Sequence, residues 1–142
     1  MRTSARNQFP GTVVSVAHGA VLDEVVLRVD EGFEIVASIT QDSATRLRLE
    51  PGRAAFALIK ASSVIVMVDV APSQVSARNV VAGTLSQVKP GVVTSEVVLT
   101  TAAGTEVVAT VTQASAERMG LAAGRQACAI FKASSVIVGV DD

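Results

Sequence analysis

A gap-free shift that carries Lys60 onto Lys132 lays this chain on itself. SARN at Ser4–Asn7 falls on SARN at Ser76–Asn79, Gly11-Thr12 on Gly83-Thr84, Gly19 on Gly91, and EVVL at Glu24–Leu27 on EVVL at Glu96–Leu99. Thr40-Gln41 falls on Thr112-Gln113, Ser43-Ala44 on Ser115-Ala116, and Gly52-Arg53 on Gly124-Arg125. KASSVIV closes each copy, at Lys60–Val66 and Lys132–Val138. About half the aligned positions are identical, and a period of roughly 70 residues is too long for a common solenoid repeat. The expectation is two tandem domains, 1–70 and 73–142, joined near Ala71-Pro72-Ser73.

Within the first copy, β-rich runs at Val13–Val16, Val21–Val29, Phe33–Ile39, Ala54–Ile59 and Val64–Val68 predict five short strands. In the second run Val21, Asp23, Val25, Leu27 and Val29 share one face. Asp30-Glu31-Gly32 reads as a hairpin turn. The segment from Thr40 to Leu47 lacks alternation and opens on a capping residue, which predicts one short helix. The expected fold is therefore all-β: two tandem OB-like, five-stranded Greek-key barrels, each with one short helix. A two-layer sandwich is the alternative. Domains of this size bury little surface alone, and the Val-rich strands carry few charges, so an oligomer is expected.

Hydrophobic residues make up 49% of the chain, ample for a core, while its formal net charge of −1 lacks the basic excess of a polyanion binder. Four phenylalanines with no Trp or Tyr also argue against the stacking surface of a single-strand nucleic-acid binder. One cysteine, Cys128, excludes an intrachain disulfide and fits a reducing compartment. The opening MRTSARNQF has no apolar signal-peptide core, and no apolar run is long enough for a membrane-spanning helix. The chain is expected to be cytoplasmic, with no membrane or nucleic-acid partner.

Against this apolar background the repeated polar residues form three clusters. In the first copy they are Ser4, Arg6 and Asn7; Thr40 and Ser43; and Lys60, Ser62 and Ser63. Their counterparts are Ser76, Arg78 and Asn79; Thr112 and Ser115; and Lys132, Ser134 and Ser135. These side chains offer hydrogen-bond donors and fixed positive charge, and no carboxylate is shared among them. A small oxyanion such as molybdate, sulfate or phosphate offers only acceptors and requires such a set. The competing reading is that Thr40 and Ser43 are helix caps, Ser62-Ser63 a turn, and Arg6 and Lys60 solvated charges.

SARNxxxGT, GxVxxEV and a closing KASxVI resemble the molybdate-binding Mop domain, and two copies resemble a di-Mop molbindin over essentially the whole chain. The resemblance implies OB-like barrels assembled as a homotrimer. It implies molybdate, and usually tungstate, as the ligand, no cofactor and no enzymatic activity, with a role in molybdenum storage or homeostasis. An interface site would set Ser4 and Arg6 of one barrel against Thr40, Ser43, Lys60, Ala61 and Ser62 of another. The equivalent site would set Ser76 and Arg78 against Thr112, Ser115, Lys132, Ala133 and Ser134. Asn7 and Asn79 complete the SARN motif, either touching the anion or holding the turn. An axial anion site would lie around Gly19, Val21 and Glu24, and around Gly91, Val93 and Glu96.

The first copy departs from the pattern. Leu22 and Asp23 stand where the second copy has Thr94 and Ser95, and Asp42 stands where it has Ala114. A carboxylate at either place disfavours a dianion, so the second copy is expected to bind more tightly. His18, replaced by Pro90 in the other copy, reads as a solvated turn residue, and Cys128, aligned with Phe56, as a small core residue. No directly coordinated metal, catalytic residue or phosphate loop is suggested. The rival functions are a ligand-sensing module related to molybdate regulators or transporters, a nucleic-acid-binding OB protein, and a purely structural oligomer.

Overall fold

The computed structural model of the chain describes residues 2–30 and 32–142. The predicted turn residue Glu31 lies outside them. Among the described residues are ten strands and two short helices: β1 (Asn7–Ala17), β2 (Leu22–Asp30), β3 (Phe33–Thr40), α1 (Gln41–Arg46), β4 (Ala54–Ile59), β5 (Ile65–Met67), β6 (Asn79–Lys89), β7 (Thr94–Thr100), β8 (Glu106–Thr112), α2 (Gln113–Met119), β9 (Gln126–Phe131) and β10 (Ile137–Gly139). Single 3-10 turns at Ala61–Ser63 and Ala133–Ser135 precede β5 and β10.

The strands form two five-stranded antiparallel sheets, ordered β10-β4-β1-β2-β3 and β5-β9-β6-β7-β8. In each sheet the two edge strands approach each other, β10 beside β3 and β5 beside β8. Each sheet thus curls into an OB-like barrel, and closure removes the exposed edges that an open sheet would present.

The compact units do not coincide with the sequence copies 1–70 and 73–142. One unit comprises Met1–Lys60 with Lys132–Asp142, and the other comprises Ala61–Phe131. The copies exchange their closing strands: β10 pairs with β4 through Ile137↔Leu58 and Val138↔Ala57, and β5 pairs with β9 through Ile65↔Ile130 and Val66↔Ala129. Both closing segments read KASSVIV, and exchange of an identical element preserves nearly all native contacts.

The core of the first unit joins Phe9, Val13, Val25, Leu27, Phe33, Ile35 and Ile59 to Val136 and Val138 of the exchanged segment. Phe9 and Phe33 pack with ring centroids 5.5 Å apart. The second unit joins Leu85, Val97, Leu99, Val107 and Phe131 to Val64 and Val66. Each fully buried Val, Leu or Phe contributes about 1.5–3 kcal/mol, so a barrel without its closing segment loses two such residues. Cys128 is buried and free in β9, as its small core role requires.

β1 is longer than the predicted Val13–Val16. Pro10 and Gly11, residue types uncommon inside strands, both lie within it. Pro10 pairs with Phe56 of β4, whereas the β2 register starts only at Thr12. Gly11 lets β2 approach: a Cβ there would stand 2.4 Å from the Arg28 carbonyl oxygen, and one on Gly83 2.5 Å from that of Thr100. The ladder shifts register just beyond, between Val13 and Ser15 and between Leu85 and Gln87, so both copies bend β1 or its counterpart at the same place.

Candidate functional site

Three elements present the repeated donors. Thr40 ends β3 and caps α1 in extended backbone geometry, and its hydroxyl oxygen accepts the Ser43 N–H at 3.1 Å. The Thr40 hydroxyl in turn donates to Ser43 Oγ at 2.8 Å. Ser43 Oγ keeps its own O–H to donate, with one of its two lone pairs engaged. Thr112 and Ser115 repeat the arrangement at α2, at 3.1 and 2.8 Å. Each pair is therefore a helix cap and an oriented hydroxyl donor together.

Asn7 is buried and donates its side-chain amide to the Ile59 carbonyl at 3.2 Å, while the two residues are also partners across β1 and β4. Asn7 thus holds the start of β1 to the end of β4. The exposed Arg6 and the exposed Lys60 each lie one residue beyond that pair, at the same end of the first unit. Ser4 is exposed on the approach to β1. Asn79 is likewise buried and pairs with Phe131, the residue before Lys132, while Ser76 and Arg78 are exposed. Arg6 and Lys60 thus place two cations at the same strand end.

The structure divides the predicted interface set differently from the sequence. Thr40 and Ser43 belong to the first unit with Lys60, but Ala61 and Ser62 belong to the second. The turn that lies along β3 is Ala133–Ser135, from the other copy. Ala61–Ser63 correspondingly lies along β8, where Ala61 packs with Val98 and Val108. Thr112 stands four residues further along that strand, about 13 Å at the usual rise.

The predicted axial residues lie at the β1–β2 and β6–β7 turns. Val21 and Val93 are strongly exposed, and their carbonyls accept the N–H groups of Gln41 and Gln113 at 3.0 and 2.9 Å. At the first turn Asp23 is fully buried. It accepts the Gly19 N–H at 3.2 Å and lies 2.9 Å from His18 Nδ1. The carboxylate thus engages a backbone donor of this turn. The alternation had put Asp23 on one face with Val25 and Leu27, both buried, but gave no sign of these partners. At the second turn the buried Ser95, which stands in the place of Asp23, instead donates to Gln113 Oε1. Glu24 and Glu96 stand partly exposed on β2 and β7.

A charged clamp absent from the sequence reading ties each helix to a closing segment. Arg53 donates from Nε to the Leu47 carbonyl at 3.0 Å and makes a two-pronged contact with Asp142 at 3.0 and 3.3 Å. Arg125 bonds the Met119 carbonyl and reaches Asp69 at 3.0 Å. The Arg53 guanidinium holds the Asp142 carboxyl below its ordinary 3.8. Among the described residues no group of three or more His, Cys, Asp or Glu side chains is placed to hold a metal ion, and no helix is long and apolar enough to cross a membrane.

A family model described as the TOBE domain matches residues 3–66 and again 75–138. The chain belongs to the TOBE-domain family. Both TOBE matches end within a KASSVIV segment, the part each barrel receives from the other copy. The molybdenum transport protein ModE of Herbaspirillum seropedicae is 43% identical over 140 residues, covering 99% of this chain and 52% of that protein. The molybdenum-pterin-binding protein MopA of Rhodobacter capsulatus is 41% identical, covering 99% and 53%. This TOBE pair therefore spans about half the length of the curated relatives it matches. The solved structure of the cytoplasmic molybdate-binding protein ModG, with molybdate bound, superposes with a TM-score of 0.95 at 40% identity, covering 99% of this chain and 100% of that one.

Proposed function

We propose that this tandem TOBE protein is a cytoplasmic molybdate- and tungstate-binding protein that serves molybdenum storage or homeostasis. The observation that carries this reading is the end-to-end likeness to molybdate-bound ModG, and the oriented hydroxyl donors and strand-end cations supply the chemistry. The anion is bound and released without bond making, so the protein is not an enzyme and needs no cofactor.

The interface sites use Ser4 and Arg6, the Thr40–Ser43 pair, and the Lys60-Ala61-Ser62 and Lys132-Ala133-Ser134 turns. Ser76, Arg78 and the Thr112–Ser115 pair take the corresponding roles. The sites are assembled between barrels of neighbouring chains in a homotrimer. Asn7 and Asn79 position the strand ends. An axial site forms at the Gly91 turn and is suppressed at the Gly19 turn by Asp23.

Native mass spectrometry of the apo protein, titrated with molybdate and with sulfate and phosphate as controls, tests this reading. The expected result is a trimer that takes up several molybdate ions and little sulfate. A trimer that binds no oxyanion would leave the donors as caps and turns. The half-length match to ModE favours a second reading, a ligand-sensing module within a longer regulator. Molybdate-dependent DNA binding by the full gene product would favour that reading over storage.

A further inference from the structure

The exchange of closing strands raises a question of selection. The two KASSVIV segments are identical, so they do not themselves determine which barrel each one closes. The first difference follows immediately: Met67 in one copy, Gly139 in the other. Their receiving strands differ at four aligned positions, of which Phe56 in β4 and Cys128 in β9 are the pair that faces this difference; Leu58 and Ile130 each face an isoleucine that is the same in both segments. In the structure Gly139 is the cross-strand partner of Phe56, and Met67 that of Cys128. Small faces large in one barrel, and large faces small in the other.

The Phe56 ring occupies the space above Gly139. A Cβ on Gly139 would stand 2.3 Å from Phe56 Cζ and 2.5 Å from Cε2. Without exchange, Met67 would face Phe56 and Gly139 would face Cys128. Phe56, Gly139 and Met67 are partly exposed, on the strand face opposite the buried Ala57, Val138 and Val66. The first pairing therefore forces the Met67 side chain against the Phe56 ring and the second leaves Cys128 without its cross-strand cover, and both faults destabilise. An aromatic ring over a cross-strand glycine is a favourable pairing in its own right.

We propose that this pair of size matches, Phe56 with Gly139 and Met67 with Cys128, selects the exchanged pairing of the closing strands over the pairing in which each copy closes itself. The segments carry the affinity, and these four residues carry the choice. The selection is a property of the chain alone and does not depend on any ligand.

Two experiments on the full chain test it. Gly139→Met is expected to lower the melting temperature by about 5 °C, and adding Phe56→Cys, which copies the other barrel's match, is expected to restore most of it. An unchanged melting temperature for Gly139→Met, or no rescue by Phe56→Cys, overturns the proposal. The second experiment reads the pairing by disulfide trapping in a Cys128→Ala background. Leu58→Cys with Ile137→Cys reports the exchanged pairing, because those residues are cross-strand partners. Leu58→Cys with Ile65→Cys reports the unexchanged one.

In the native context only the first pair is expected to oxidise. Adding Met67→Gly and Gly139→Met together is expected to reverse this, so that the second pair oxidises. A doubly swapped chain that is folded by circular dichroism but still traps only the first pair overturns the proposal. If that chain does not fold, the melting and rescue measurements decide the matter.

Discussion

Asp23, with a fully buried side chain, accepts the Gly19 N–H at 3.2 Å across the turn that joins β1 to β2. Replacing it with Ala strands a backbone donor in a partly buried place, at a cost of about 1–3 kcal/mol. Asp23→Ala is expected to lower the urea midpoint with an unchanged m-value. Asp23→Ser, which copies Ser95, is expected to raise the molybdate count per chain in native mass spectrometry. An unchanged count would remove Asp23 as the cause of asymmetry between the two turns.

Asn7 tests the division between positioning and binding. Asn7→Ala leaves the Ile59 carbonyl without its side-chain donor and opens a void at the strand end, for about 1–3 kcal/mol. Thermal melting of the apo protein is expected to report that loss before any anion is added. If stability is untouched and molybdate affinity falls instead, Asn7 contacts the ligand.

Lys60 and Lys132 are exposed and are expected to behave in the opposite way. Changing either to Ala is expected to weaken molybdate binding by about tenfold or more, as loss of a charged hydrogen bond does. The melting temperature of the apo protein is expected to stay within about a degree, since exposed charges contribute little to folding. Calorimetric titration beside a melting curve separates the two effects.

Asp42 lies in the first turn of α1, next to the Thr40–Ser43 pair, where α2 carries Ala114. Asp42→Ala is expected to strengthen binding at the Thr40–Ser43 sites several-fold at low salt, with the gain shrinking as salt screens the charge. The counter-change Ala114→Asp is expected to weaken the Thr112–Ser115 sites. Equal affinities in all three proteins would show that this carboxylate does not reach the anion.

The Arg53–Asp142 contact gives a directional pH effect. The folded-state pKa of Asp142 is depressed by its hydrogen bond to Arg53. Its contribution to stability is therefore fully present above the ordinary value of 3.8 and is lost as pH falls through the lower, folded value. Asp142→Asn is expected to be slightly less stable than the parent at neutral pH, with the two curves converging in strong acid. A stability difference that grows toward acid pH would contradict the sign.

The sequence disclosed much of the fold because its signals were local. The Ala54–Ile59 strand was legible residue for residue, and Thr40 announced its helix by its capping chemistry. The start of β1 was not, because Pro10 is tolerated only through a pairing pattern that involves β4 and β2. The strand exchange was hidden for a different reason: two identical KASSVIV segments dock equally well by pattern. A readable signal was the coupled change at Met67, Gly139, Phe56 and Cys128. For the candidate site, residue types pointed to an oxyanion. Their grouping depended on which turn lies along which strand, and the burial of Asn7 and Asp23 depended on partners distant in sequence.

The first unit contains both the earliest and the latest residues described, while the second is one continuous stretch from Ala61 to Phe131. A ribosome makes the chain from its amino end, so every part of the second barrel emerges before Lys132 does. The first barrel must wait, four strands made and one side open, until β10 is released. During that interval its unpaired edge is the aggregation-prone surface of the nascent protein. A premature stop that removes only the final dozen or so residues leaves the later barrel whole and the earlier one unfinished.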